Sequence, residues 1–295
     1  MSEFIISCCS TADLSAQHFA DRGILYIPFQ YSLDDKNYLD DLGQSMSFAD
    51  FYQAMRDGAD TKTSQVNKES YIAFFEPILA SGKDILHVAF SSGLSGSCDS
   101  ARMAQKILQP KYPDRKLLIV DSLAASSGYG LLMDTLCDKR DEGLSMEQLY
   151  TWLEEVKLQL HHWFFSTDLT FYVKGGRVSK ASGFIGSMLH ICPLLNVSFE
   201  GKLIPREKVR TKRKVISRIV EMMEQYAQGG YDYNGKCFIS HSDCYDDAKA
   251  VADLVKSKFP SLNGKVLINN IGTTIGSHTG PGTVALFFWG TERKD

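Results

Sequence analysis

No stretch of these 295 residues approaches the roughly 20 consecutive apolar positions that a membrane-spanning helix needs. The opening MSEFIISCCSTADL has neither the basic start nor the apolar run of a secretory leader. The expectation from both is a cytoplasmic chain with no stable membrane insertion. Charge of one sign is not in excess: 32 Lys and Arg stand against 35 Asp and Glu, net −3, so no global field draws the chain to nucleic acid or an anionic membrane. There are seven cysteines, an odd number, and none forms a C-x-x-C, which argues against a disulfide framework and a zinc ribbon. His161-His162 and His241 have no second ligand spacing beside them, so they read as structural and no metal is expected. Neither G-x-x-x-x-G-K-[ST] nor a G-x-G-x-x-G after a strand occurs, and no nucleotide cofactor is expected. Proline-rich linkers, repeats and low-complexity tracts are absent too.

What is present is ordinary globular material, 44% hydrophobic and 23% charged, of a length that suits about two domains. Apolar runs at 3–9, 24–31, 84–90 and 115–121 predict strands, with helical patterns near 47–57, 68–81, 97–109 and 124–141. Continuous apolar strands alternating with helices imply a parallel sheet covered on both faces. Ser47-Phe-Ala-Asp50 and Ser145-Met-Glu-Gln148 have helix-capping spacing. Beyond about residue 160 the texture changes. HHWFFST, GKCFISH, KVLINN and TVALFFW read as strands, LLNVSFEGKLIPREKV as a hairpin turning at Glu200-Gly201, and 212–227 and 245–258 as helices. The predicted fold is α/β: a parallel-sheet, three-layer N-terminal domain over 1–160 and a mixed α+β C-terminal domain over 161–295, abutting with a cleft between them.

In an open parallel sheet, ligands sit beyond the carboxyl ends of the strands. Polar punctuation falls there each time: Ser10-Thr11, then SSGLSGS at 91–97, then Asp121-Ser122. KTSQ at 62–65 reads as a further loop ahead of a helix. Such loops offer hydroxyls and helix N-terminal amides, both suited to an anion. KGGRV at 174–178 adds Lys174 and Arg177, and IGSHTGPGT at 275–283 sets His278 in what reads as a Gly-rich loop. Cys8-Cys9 read as small apolar residues closing a buried strand. One enzymatic pattern comes close. Strand–GLSGS–helix nearly makes a nucleophile elbow at Ser95, and Ser95, Asp121 and His278 follow the chain order of an α/β-hydrolase triad. G-x-S-x-G fails at Ser97, and the acid would come from the very next strand, so a serine hydrolase using Ser95 is the secondary reading.

KTSQ, SSGLSGS, VDSLAASSGYG, LTFYVKGGRV, ICPLL…EGKLIPREKVRT and GSHTGPG stand in the order and spacing of the DegV family. The chain resembles that family over essentially its whole length. The resemblance implies a two-domain fatty-acid-binding protein that holds a long acyl tail in a tunnel between its domains. It implies a carrier rather than an enzyme, with the carboxyl group presented to a separate ATP-dependent fatty acid kinase for acyl-phosphate formation in phospholipid synthesis. Position by position it implies carboxylate-binding hydroxyls at Thr63 and Ser95 with His278 beside them, and Ser64, Ser92, Gly93, Arg177 and Thr279 in support. Two departures stand out: Cys9 precedes Ser10-Thr11 where the family has Asp, and Val66 follows TSQ where it has Pro. A small-anion sensor without a kinase partner remains a further alternative.

The basic segment REKVRTKRKVISR at 206–218 is a local excess of positive charge in a chain of net −3. No reading module or aromatic pattern accompanies it, so nucleic acid is not the expected partner. Arg206 and Arg210, placed at the hairpin's end and just before the next helix, are the residues expected to dock on an acidic kinase surface.

Overall fold

The computed structural model describes residues 4–179, 191–262 and 266–294. β1 (Phe4–Cys9) is buried at its last four positions, and a single 3-10 turn at Ser10–Ala12 leads to α1 (Ala16–Asp21), capped by the Ser15 side chain. β2 (Leu25–Ile27) ends before Pro28, which has no N–H for a ladder. The strand expected over 24–31 is therefore two. The chain leaves the first sheet at Pro28 and enters a second as β3 (Gln30–Leu33), paired with β4 (Lys36–Leu39). α2 (Phe48–Arg56) starts on the Ser47 side chain, which accepts from the Asp50 amide, and β5 (Thr61–Ser64) then runs antiparallel to β3. KTSQ is thus mostly strand, not loop. Threonine at alternate positions suits the half-buried edge of this three-stranded sheet.

α3 (Lys68–Ala80), β6 (Asp84–Ala89), α4 (Ser97–Leu108), β7 (Leu117–Asp121) and α5 (Ser126–Asp141) alternate as expected. α6 (Met146–Val156) begins on a capping box between Ser145 and Gln148. β2, β1, β6 and β7 form one sheet in that order, every neighbour parallel.

The chain continues through β8 (Leu160–Ser166), α7 (Thr170–Lys174), β9 (Ile191–Val197), β10 (Leu203–Arg210), α8 (Lys212–Tyr226), β11 (Cys237–His241) and α9 (Tyr245–Lys258). β12 (Val266–Asn270), α10 (Thr273–Thr279) and β13 (Thr283–Trp289) complete it. Glu3 and Lys265, counted into expected strands, lie outside the described residues. The six strands form a mixed sheet in the order β10-β9-β8-β13-β11-β12, parallel at β11–β12 and antiparallel elsewhere. The hairpin turns at Glu200-Gly201, where Gly201 takes φ 72°.

Side-chain alternation gives this mixed sheet two different faces. Trp163, Phe165, Leu286 and Phe288 join a core with Val215, Ile219 and Val251 of α8 and α9. Phe164, Ala285 and Phe287 point the other way, into the core that includes the parallel sheet and α5. Eleven of the sixteen residues of α5 are buried, so this helix is the wedge between the two sheets. Among the described residues no helix is long and apolar enough to cross a membrane.

Candidate ligand site

A cavity of about 340 Å3 opens beside the N-terminal end of α5, walled by the inner face of the mixed sheet and by α10. Phe29, Phe90, Phe164, Val197, Ile275 and Phe287 give it a long apolar wall. Thr63, Ser95, Arg177, His278 and Thr279 also line it and bring the polar groups.

Each arrives by a local rule. β5 alternates, so Thr63 turns inward while Lys62 and Ser64 stay exposed. His278 is not in a Gly-rich loop. It sits on the last turn of α10, a helix that Gly280 ends with φ 68°. The glycine before it serves packing: a Cβ on Gly276 would stand 2.5 Å from the Tyr52 hydroxyl. Gly175 serves the site directly, because a Cβ there would overlap His278 Nδ1.

His278 Nε2 lies 2.7 Å from Thr63 Oγ1, and its Nδ1 is buried with no partner. Burial, then the nearby Arg177 charge, push its pKa down to about 4, so the ring is neutral at neutral pH. The Nε2-protonated tautomer fits best, because the other would bury an N–H donor at Nδ1 with nothing to accept it. His278 then donates to Thr63, which turns the Thr63 hydroxyl hydrogen out towards the cavity. Ser95 is set the same way: its Oγ accepts from the Ser97 amide at 3.2 Å, leaving its own hydrogen to donate. Arg177 is half-buried and donates to the carbonyls of Gly175 and Leu94. Among the described residues no carboxylate pairs with it, and burial holds its pKa below the usual value. The result is a cationic, donor-rich end on an apolar cavity.

Three of the expected supporting residues are not brought there. Ser64 faces away, Ser92 is exposed with its amide donating to Asp121 Oδ1 at 3.1 Å, and Gly93 lies under the hairpin turn. The Glu200 carbonyl occupies the place a Gly93 Cβ would take, so that glycine is explained by packing. The other serines of SSGLSGS divide likewise. Ser91 donates to the Gly201 carbonyl at 2.8 Å, and Ser97 bonds Tyr71 at 2.8 Å. Cys8 and Cys9 are fully buried, with Cys9 Sγ 3.3 Å from the Tyr71 hydroxyl, and burial pushes both thiols up. Gln65, Ser126, Tyr172 and His162 line the cavity without having been singled out for it. The alternation of β8, which sends His162 to the same face as Phe164, is the sequence signal that would have placed His162.

Ser95, Asp121 and His278 are not wired as a triad. Asp121 Oδ1 accepts the Ser92 and Leu123 amides, both at 3.1 Å, and the imidazole bonds Thr63 instead. The basic segment is also partly neutralised. Arg218 pairs with Glu207 and Glu221, and Lys212 with Asp247. Arg206 is not at the hairpin's end but mid-strand in β10, at a bulge between Pro205 and Glu207, donating to Asn196 Oδ1 at 2.8 Å; Arg210 ends that strand.

The sequence model described as "Uncharacterised protein, DegV family" matches residues 6–291. A DegV domain-containing protein of Clostridium perfringens is 36% identical over 294 residues, covering 100% of both chains. A solved structure from Thermus thermophilus, titled for fatty acid binding of a DegV family protein, superposes with TM-score 0.85 at 25% identity, over 99% of this chain and 100% of that one. The Streptococcus pneumoniae fatty acid kinase B3 protein, loaded with linoleic acid, has the same fold, with TM-score 0.83 at 22% identity over 99% of this chain and 100% of its own. With the family match running through every element that lines the cavity, this chain belongs to the DegV family.

Proposed function

We propose that this protein binds one long-chain fatty acid, tail along the apolar wall and carboxylate against Thr63, Ser95, Arg177 and His278, and presents that carboxylate to a separate ATP-dependent fatty acid kinase. The observation that carries the reading is Arg177: a half-buried guanidinium whose partners among the described residues are carbonyls, beside a neutral histidine, at a cavity with a largely apolar wall. A buried cation of this kind favours an anionic ligand. Burying a methylene stabilises by about 0.8 kcal/mol, so roughly fifteen of them supply about 12 kcal/mol before association costs. The tail therefore carries affinity, and the head group needs only enough donors to keep a carboxylate from being stranded. The fatty acid binding named for the Thermus relative points the same way.

In this reading residues 1–160 and 161–295 act as two domains that close on the tail, working in the cytoplasm. The kinase step draws on the name of the Streptococcus pneumoniae neighbour, a fatty acid kinase B3 protein loaded with linoleic acid, and on the basic segment, where Arg206 and Arg210 would meet an acidic partner. Titration with palmitate and with its methyl ester tests the head-group claim. Palmitate should bind much the more tightly, and equal affinities would remove the carboxylate from the account. ATP-dependent acyl-phosphate formation from protein-bound fatty acid, on adding a fatty acid kinase, tests the presentation step.

A further inference from the structure

A second cavity, of about 170 Å3, lies beside the 3-10 turn that follows β1. Ser10, Asp13, Asp40, Asn269, Asn270 and Gly272 contribute to its wall, from three separate stretches of chain. Asp13 and Asp40 are only 5% and 1% exposed. Asp40 accepts from the Ser10 hydroxyl at 3.1 Å on Oδ2 and from Thr273 at 3.0 Å on Oδ1. Asp13 Oδ2 accepts from Ser126 at 2.5 Å, while Asp13 Oδ1 is buried and has no hydrogen-bond partner. The volume beside Gly272 touches both acids: a Cβ there would stand 2.6 Å from Asp13 Oδ1 and 3.5 Å from Asp40 Oδ1. No Lys, Arg or His is among the described residues lining the cavity.

Two carboxylates taken out of water without a counter-charge are strongly unfavourable. Either a proton or a cation must compensate them. A proton is the cation's competitor, because burial raises the pKa of both acids. Three of the four carboxylate oxygens accept from hydroxyls, and Asp13 Oδ1, which lies against the Gly272 backbone, is buried without a hydrogen-bond partner of good geometry. At about 30 Å3 of liquid volume per water, the cavity has room for several. Magnesium-like ions bind in this manner, through one or two carboxylates while keeping part of their hydration shell. We infer that Asp13 and Asp40 hold a hard, partly hydrated divalent cation in this cavity. Asn269 is placed to add its carboxamide oxygen, since its Nδ2 is already donating to Ser127 at 3.2 Å. The ion ties the turn after β1 and the segment after β4 to the connection between β12 and α10. It also stands behind the ligand cavity, whose wall includes Ser126 and Thr274.

The test uses the full chain dialysed against EDTA and then titrated with MgCl2 or CaCl2, following heat of binding and melting temperature. One of these ions should bind saturably at a single site and raise the melting temperature, beyond any effect of NaCl at matched ionic strength. Asp13→Asn and Asp40→Asn should each weaken that binding at least tenfold. EDTA-treated Asp13→Asn should melt no lower than EDTA-treated wild type, because a neutral amide replaces a carboxyl whose charged form burial disfavours. Absence of saturable binding of either ion to the wild type, or binding undiminished in both variants, overturns the inference. If a variant fails to fold, the wild-type titration decides alone.

Discussion

Arg177→Gln separates ligand binding from folding. In the ligand-free protein the Arg177 guanidinium gives up water for two carbonyl contacts among the described residues, and burial lowers its pKa, so its charge is a liability there. Glutamine keeps one donor group and removes that charge. The lost contacts and the relieved desolvation are each of order 1 kcal/mol and opposite in sign, so the urea midpoint should move by less than about 1 kcal/mol equivalent. A bound carboxylate loses a charge-assisted hydrogen bond, worth about 1.5–3 kcal/mol, or roughly 10- to 150-fold in Kd. Fluorescence competition with palmitate reads that change directly. The methyl ester supplies the control, since it has no charge to lose and should bind wild type and variant alike. Wild-type palmitate affinity in the variant would show that the guanidinium does not face the ligand, and the head-group assignment would fall with it.

Other expectations follow from the same geometry. Thr63→Ala and Ser95→Ala should each weaken fatty-acid binding by about 1–3 kcal/mol, while Ser64→Ala and Ser92→Ala, which face away, should leave the Kd unchanged in the same assay. Burial lowers the pKa of His87 to about 3 and of His161 and His278 to about 4, so the unfolded chain takes up more protons below about pH 6.5. Their contribution to stability is therefore full above that pH and lost on acidification. Asp13 and Asp40, raised by burial, act in the opposite direction, so the test is a difference. Between pH 6 and 4.5, urea unfolding of His87→Gln should show a pH slope shallower than wild type by about 1.4 kcal/mol per unit, and equal slopes would contradict the buried neutral ring. Reversing Arg206 and Arg210 to Glu should leave fatty-acid binding intact and slow phosphorylation of the bound lipid by a cognate kinase. The wild-type rate should fall with salt and the variant's less so; equal rates at low salt would make the segment only a solvated face.

The parallel sheet was legible because its strands are uninterrupted apolar runs, a pattern that only burial on both faces explains. Pro28 and the small sheet of β3, β4 and β5 were not. Each of those strands is four residues of mixed polarity, and β5 meets β3 only through contacts distant in sequence. The same limit hid Thr63's setting: TKTS has alternation, but four residues are too few to distinguish strand from loop. His278 was mis-set for the opposite reason, since glycine density suggests a loop until Tyr52 is seen packed on Gly276. The polar site was half legible. Thr63, Ser95 and His278 carry family motifs, but motif membership could not divide SSGLSGS into a serine that docks the hairpin, one that faces solvent, one at the cavity and one bonded to Tyr71. Neither could it reveal Asp13 beside Asp40, which lie 27 positions apart in the chain and meet only through the fold.

In the proposed function the 340 Å3 cavity holds a fatty acid. Organic extraction of the protein purified from a bacterial host, followed by mass spectrometry, measures this directly. One long-chain fatty acid per chain is the predicted result. An extract without stoichiometric fatty acid, from protein that also fails to bind added palmitate or oleate, would contradict it.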